Sequence, residues 1–173
     1  MLTTAYRALT TIVIMSTIAV PISRATTVQT PDFSFRAVDG AAVSADSVRG
    51  QVAVFGFGAS WLPLTRNQME GLKKVADQYA SRGVAVYWVS TESDSPKSKN
   101  FADDNQLREL SRQYKITVLR DPDGAISKRL GVDQLPATVI FNKQGQVAAN
   151  INGLDPTDVA KALGERIDKV LKP

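Results

Sequence analysis

Two apolar runs separated by an amphipathic segment form the clearest pattern in this chain of 173 residues. Residues 52–57 and 84–89 are continuous stretches rich in β-branched and aromatic side chains, a pattern typical of strands buried on both faces of a parallel sheet. This arrangement predicts a right-handed strand–helix–strand crossover, with Gly83 ending the helix. The helix is indicated by apolar residues that recur at the spacing of one face: Met69, Leu72, Val75, Ala76 and Tyr79.

The segment before the first apolar run predicts a small β-hairpin. Residues 31–35 alternate between apolar and polar side chains, and Asp39-Gly40 is a turn signal. Ser44 follows as a candidate cap for a single helical turn over residues 45–48, which Gly50 would end.

The C-terminal half predicts an alternation of helices and strands after a polar loop over residues 91–105. The predicted elements are a helix with Leu107, Leu110 and Tyr114 on its inner face, a strand at 116–119, a turn at 121–124, a short helix at 126–130, a hairpin of strands 138–142 and 146–150, and a final helix opened by Pro156 and capped by Asp155. The order of elements indicates an α/β protein.

The first 25 residues differ in kind from the rest of the chain. Arg7 precedes an apolar, uncharged stretch, and Ser23-Arg24-Ala25 places small residues where a signal peptidase cleaves. We therefore expect a signal peptide over residues 1–25 and one domain over residues 26–173. The alternative is an uncleaved membrane anchor, but residues 8–23 are shorter than the roughly 20 residues that span a bilayer.

Composition narrows the range of functions. With 43% apolar and 22% charged residues, the chain has the make-up of an ordinary globular protein. A net charge of +4 is too small for binding nucleic acid by bulk electrostatics. The chain contains no histidine and no cysteine, the usual ligands of zinc, copper and haem iron. We therefore predict no metal, no cofactor and no nucleic-acid partner.

Trp61-Leu62-Pro63-Leu64-Thr65 follows the first apolar run, and Leu135-Pro136-Ala137 opens a later one. With the strand before Trp61 and the helix after Pro63, these segments resemble the exported TlpA-like thioredoxins of the redoxin group. The resemblance spans roughly residues 31–172. It implies a thioredoxin-like fold, in which a central mixed sheet is flanked by helices, with an N-terminal β-hairpin and an inserted helical segment.

The same resemblance shows what this chain lacks. In the family the tryptophan is followed by Cys-x-x-Cys, and here Leu62 and Thr65 stand at the two cysteine positions. Disulfide exchange needs a thiolate, so dithiol chemistry is excluded for this chain alone. Gly56 stands where such proteins often carry an acid or amide on the preceding strand, so Thr65 lacks a base. We expect Thr65 to be a helix-capping or surface residue.

The resemblance also implies a binding groove. Leu135-Pro136-Ala137 resembles the cis-proline loop of the family, whose backbone can pair with an extended peptide by strand addition. The candidate groove consists of Trp61, Leu62, Leu64, Leu135, Pro136 and Ala137. Three alternatives remain open: that the leucines only fill the space of the lost thiols, that Thr65, Arg66 and Glu70 carry out oxygen chemistry, or that the chain is a structural subunit of an envelope assembly.

Several acidic clusters invite other interpretations. Residues 121–124 read Asp-Pro-Asp-Gly, which is a turn rather than a calcium loop because the further oxygen ligands and the late glutamate are missing. The pairs Glu92 with Asp94 and Asp103 with Asp104 lie in polar segments, where we expect solvated charges.

The leader gives the first testable prediction. Cleavage after Ala25 would make Thr26 the N-terminal residue of the mature protein, because the small residues Ser23 and Ala25 precede that bond. Mass spectrometry of the protein from a native envelope fraction checks this. Detection of membrane-bound protein that retains Met1 would favour the anchor instead.

Overall fold

A computed structural model of the chain describes residues 30–153 and 158–172. The predicted leader and the predicted helix start at Asp155 and Pro156 lie outside these residues. Within them, the strands are β1 (Ser34–Ala37), β2 (Ala42–Ser44), β3 (Val52–Gly58), β4 (Val84–Ser90), β5 (Thr117–Arg120), β6 (Ala137–Phe141) and β7 (Val147–Asn152). The helices are α1 (Thr65–Tyr79), α2 (Asp104–Tyr114), α3 (Ala125–Arg129) and α4 (Val159–Leu171).

The strands form a mixed sheet in the order β2-β1-β5-β4-β3-β6-β7. Strands β3, β4 and β5 are parallel to one another, which confirms the predicted parallel pairing of the two strands that α1 connects. Strand β3 lies inside the sheet between β4 and β6, and all seven of its residues are buried, as its continuous apolar sequence requires. The predicted hairpins are also present, because β1 pairs with β2 and β6 with β7 in antiparallel register.

A hydrophobic core lies on each face of the sheet. On one face, α1, α2 and α4 bury Leu72, Leu107 and Leu163 against Trp88 of β4. On the other face, five phenylalanines pack together with ring centroids 5.3 to 6.3 Å apart. They are Phe33, Phe35, Phe55, Phe57 and Phe141. Burial on both faces fixes the central strands.

Two local predictions differ from the structure. The segment after Ser44 is a turn and not a helical turn, although the Ser44 hydroxyl accepts from the Ser47 amide as a cap does. The last helix begins at Val159, where Asp158 accepts a hydrogen bond from the Lys161 amide and acts as the cap.

The ends of β3 and β4 and the start of β6 lie together at one edge of the sheet. The parallel pair β3 and β4 end together at Gly58 and Ser90, which are paired in register. Because β6 runs antiparallel to β3, its first residue, Ala137, lies opposite Phe57 at the same edge. The turn after β3, the loop after β4 and the loop before β6 are therefore neighbours, and they carry the residues predicted to form the site.

Candidate functional site

The turn that leads from β3 into α1 has a well-defined hydrogen-bond pattern. The Leu62 amide donates to the Ala59 carbonyl at 3.1 Å, and the Thr65 amide donates to the Leu62 carbonyl at 3.0 Å. The Thr65 hydroxyl also donates to the Ala59 carbonyl, at 2.6 Å. Thr65 is 3% exposed and is the first residue of α1, so the expectation of a helix-capping or surface residue was wrong. Its hydroxyl closes the turn.

The geometry gives no support to oxygen chemistry at Thr65. Its hydroxyl proton is directed to the Ala59 carbonyl, and Arg66 and Glu70 pair with each other at 3.0 Å on the exposed face of α1. Beside Thr65, a cavity of about 250 Å³ between α1 and α2 is lined by residues such as Met69 and Leu110 and by no carboxylate. A nucleophilic threonine needs an adjacent base, and none of the described residues supplies one.

Gln68 is the polar centre of the site. It is fully buried on α1, and its side-chain nitrogen donates to the carbonyls of Phe57, at 3.3 Å, and Ala137, at 2.8 Å. Its side-chain oxygen accepts from the indole N–H of Trp88 at 2.9 Å. The amide thus connects α1 with β3, β4 and the start of β6. Sequence reasoning missed this residue because a single glutamine on an amphipathic helix carries no signal of burial.

The space above Gly56 explains why the strand carries no side chain there. A Cβ atom at Gly56 would lie 2.5 Å from Cδ1 of Leu72 and 3.2 Å from the Gln68 side-chain nitrogen. The contact of 2.5 Å would not occur without movement of the Leu72 side chain. The space that an acidic side chain at position 56 would occupy is therefore filled by Leu72 of α1, and the uncharged amide of Gln68 lies beside it.

The loop before β6 has both exposed and buried parts. The Leu135–Pro136 peptide bond is cis. Leu135 is 38% exposed, whereas Pro136 and Ala137 are buried. The Ala137 carbonyl is occupied by Gln68, and the Pro136 carbonyl accepts from the Gly153 amide at 3.1 Å. Of the three residues, only Leu135 presents its side chain to solvent.

Exposed apolar side chains concentrate at this edge of the sheet. In the described part of the chain four large apolar residues are exposed, and three of them lie here: Trp61, Leu64 and Leu135. Trp61 is 64% exposed, and Leu62 beside it is half-buried. We refer to Trp61, Leu62, Leu64 and Leu135 as the apolar turn surface.

The loop after β4 holds the turn from the other side. Glu92 is 1% exposed, and its carboxylate accepts from the Ser60 amide at 2.9 Å, the Ser60 hydroxyl at 2.6 Å and the Ser90 hydroxyl at 3.0 Å. The expectation of a solvated charge at Glu92 was therefore wrong. Nearby, Asn100 accepts from the indole N–H of Trp61 at 2.7 Å.

Asp94 is exposed, as expected for a solvated charge, whereas Asp103, Asp104 and Asp121 have structural partners. Asp103 caps α2 by accepting from the amides of Asn105 and Gln106. Asp104 pairs with Arg36, whose hydrogen bond lowers the pKa of the Asp104 carboxyl. Asp121 is buried at the predicted turn and accepts from the Ser127 amide. Among residues 30–153 and 158–172 no three metal-ligating side chains cluster, and no helix is long and apolar enough to cross a bilayer.

Gln68 gives a prediction about stability and pH. Gln68→Glu replaces the donating nitrogen with an oxygen facing two carbonyls, so burial and the lost hydrogen bonds should raise the pKa of the new carboxyl above its unfolded value of about 4.3. With the folded pKa raised, the variant should be most stable below the unfolded pKa. Relative to the parent protein, it should lose stability as the pH rises through the folded pKa.

Urea unfolding of the parent protein and the variant between pH 4 and pH 8 measures this loss. Gln68→Leu is the matched control, because it leaves the same polar groups without partners but cannot titrate. It should lower the unfolding free energy at every pH, by about 1–3 kcal/mol for each buried group left unsatisfied. A Gln68→Glu variant whose stability follows that of the parent across this range would contradict the assigned contacts.

The sequence is similar to that of known proteins with a thioredoxin-like fold. A model of the AhpC/TSA family matches residues 26–150. The thioredoxin-like protein YneN of Bacillus subtilis is 28% identical over 121 residues, covering 69% of this chain and 66% of that protein. The thiol:disulfide interchange protein DsbE of Pseudomonas aeruginosa is 29% identical over 107 residues, covering 62% of this chain and 54% of DsbE. The chain thus spans slightly less than two thirds of YneN and about half of DsbE.

Solved structures show the same fold. A secreted disulfide oxidoreductase of Mycobacterium tuberculosis, homologous to DsbE of Escherichia coli, superimposes with a TM-score of 0.63 at 24% identity. The match covers 79% of this chain and 95% of the mycobacterial chain. The predicted thioredoxin-like fold is confirmed, and with it the resemblance on which it was based. Since the family model covers well over half of its length, this chain belongs to the AhpC/TSA family.

Proposed function

We propose that this chain is an exported thioredoxin-fold protein that has no thiol–disulfide activity and binds an extended segment of a peptide or protein at the apolar turn surface. The observation that carries the proposal is the combination of an intact, hydrogen-bonded turn with an exposed apolar surface and no sulfur. The relatives named as thiol–disulfide proteins depend on chemistry that this sequence lacks.

The loss of thiol chemistry follows from the residues at the two former cysteine positions. The attacking group in disulfide exchange is a thiolate, and no cysteine occurs anywhere in the 173 residues. Leu62 has no ionisable atom, and the Thr65 hydroxyl is bonded to the Ala59 carbonyl. The site can therefore position a ligand but cannot exchange a disulfide with it.

The framework under the surface supports a retained binding role. Here both polar atoms of the Gln68 side chain have partners, and the Glu92 carboxylate accepts three hydrogen bonds. The turn and the loop before β6 are therefore held in a fixed relation, which lowers the entropic cost of binding.

The backbone at Leu135 supports strand addition as the mode of binding. No hydrogen bond between described residues occupies its backbone N–H or C=O, while the carbonyls of Pro136 and Ala137 are taken. An extended peptide could pair with Leu135 through its main chain and place apolar side chains against the apolar turn surface. Contiguous exposed apolar surface is typical of interaction sites.

Export is supported by the sequence of the first 25 residues, and the mycobacterial structural relative is described as secreted. The competing proposal is a structural subunit of an envelope assembly. One observation favours it: Val147, the fourth exposed large apolar residue, lies on the edge strand β7. A subunit contact through this strand would not need the apolar turn surface.

The absence of thiol chemistry can be tested by restoring it. The purified chain should reduce insulin disulfides with dithiothreitol no faster than the blank, and Leu62→Cys with Thr65→Cys should form an intramolecular disulfide because the turn retains the helix-start geometry. Mass measurement after alkylation detects the bridge. Each single cysteine variant is the control, and it should alkylate fully once the protein is unfolded in denaturant, because residue 65 is buried in the folded chain. Turnover by the cysteine-free chain, after removal of contaminating thiol proteins, would overturn the proposal.

The binding role can be tested at Leu62. Leu62→Lys places a charge that would lose its water when an apolar ligand binds, and this costs binding free energy. Trp61→Ala removes the largest exposed ring. Loss of a central contact can cost about 2 kcal/mol or more, which is roughly a thirtyfold loss of affinity. Partners captured from envelope extract by the mature protein should be lost with both variants.

Val147→Lys is the matched control for this experiment, because it places the same charge at an exposed apolar site on β7. It should leave capture unchanged, and thermal unfolding should show that all three variants fold. The reverse result, with capture lost for Val147→Lys and kept for Leu62→Lys, would replace the groove by the structural-subunit proposal.

A further inference from the structure

The loop between β4 and α2 is a closed and ordered element, although its sequence is polar. The Ser93 amide donates to the Asn100 carbonyl at 2.7 Å, and the Ala102 amide donates to the Ser93 carbonyl at 3.1 Å. An isolated parallel bridge joins Ser93 to Phe101. These bonds bring the two ends of the loop together, so Asn100 projects from a fixed piece of backbone.

The side chain of Asn100 connects this loop with the apolar turn surface. Its oxygen accepts from the indole N–H of Trp61 at 2.7 Å, and its nitrogen donates to the Thr91 carbonyl at 3.3 Å. Both contacts agree with one orientation of the amide, since the indole is only a donor and the carbonyl only an acceptor. The Asn100 nitrogen is therefore fixed by the Thr91 carbonyl, and its oxygen fixes the indole of Trp61.

Trp61 is exposed to solvent, yet hydrogen bonds within the protein fix its ring and its backbone. Most of its surface is open, at 64% exposure, yet its single polar atom is paired within the protein. Its backbone is fixed as well, because the preceding residue, Ser60, is bonded through its amide and hydroxyl to the buried Glu92. The loop after β4 thus sets both the position and the orientation of the ring.

We propose that Asn100 is the positioning residue that determines which chemical group the apolar turn surface accepts at Trp61. This inference rests on the proposed binding function. Because the only donor of the indole is consumed by Asn100, a ligand group that meets this ring gains no hydrogen bond from it. The site therefore selects an aliphatic, proline or aromatic side chain of the extended ligand over an amide or carboxylate at that position.

The hydrogen bond from the Trp61 indole to Asn100 can be tested without a ligand. The chain contains two tryptophans, and the indole N–H of Trp88 is bonded to Gln68, so the parent protein provides an internal reference. In Asn100→Leu the Trp61 indole proton should exchange with solvent at least about tenfold faster by NMR, while the Trp88 proton is unchanged. Asn100→Asp keeps the acceptor for the indole but loses the donor to the Thr91 carbonyl, so it should restore protection in part. Equal exchange in all three proteins would overturn the assignment.

A second pair of variants keeps the test decisive if the leucine disturbs the loop. Loss of the protected Trp88 signal would show misfolding of Asn100→Leu. Asn100→Ser, whose shorter side chain cannot bridge to the indole, then takes its place. Trp61→Phe assigns the two indole signals, because it removes one of them.

Selectivity is tested with two blocked heptapeptides of alternating threonine and alanine that carry either leucine or asparagine at the centre. These two side chains have similar size and differ in polarity. The parent protein should bind the leucine peptide more tightly. In Asn100→Leu the ratio of the two affinities should fall about fivefold, the effect of one hydrogen bond, because the freed indole N–H can now donate to the asparagine.

The outcomes separate this inference from the proposed function. Equal affinity ratios in the two proteins would overturn the role of Asn100 in selectivity while the groove itself stands. If neither peptide binds the parent protein or the variant, the binding function fails, and the selectivity role fails with it. The exchange experiment would then still report on the hold that Asn100 has on Trp61.

Discussion

The edge of the sheet that carries the site depends on one buried amide. Gln68 bonds two carbonyls and one indole N–H at the point where β3 ends, β6 begins and α1 packs against both. A glutamine can do this because its side chain offers donors and an acceptor without a charge, so that it can be fully buried when every group is paired. The positions of the turn after β3 and of the loop before β6 follow from this contact.

Packed side chains and a hydrogen bond occupy the region where related proteins carry their two cysteines. Gly56 leaves no room for a side chain above the strand, and the volume is occupied by Leu72 and Gln68. The Thr65 hydroxyl closes the turn that a pair of cysteines would occupy in related proteins. The site is therefore a packed and hydrogen-bonded structure in its own right.

The loop after β4 gives the site its second support. A buried carboxylate costs free energy unless it is hydrogen-bonded, and Glu92 meets that condition by fixing Ser60. Asn100 acts on the neighbouring residue and fixes the ring of Trp61. One loop thus sets the backbone and the side chain of the most exposed aromatic residue in the described part of the chain. An exposed ring that is already ordered binds with less loss of entropy.

The amino-acid sequence was sufficient to predict the α/β class, the strand–helix–strand unit around α1, both hairpins and the absence of thiol chemistry. These features follow from local periodicity, turn residues and composition, which a linear reading contains. Three features became apparent only in the folded chain: the burial of Gln68 and Glu92, the closing of the turn by Thr65 and the bond from Trp61 to Asn100. The Thr65 hydroxyl bonds a carbonyl only 6 positions away, but composition and periodicity do not show which way its side chain turns. The bonds of Gln68 to Ala137 and Trp88, of Glu92 to Ser60 and of Asn100 to Trp61 join residues 20 to 69 positions apart, and no local pattern encodes such pairs.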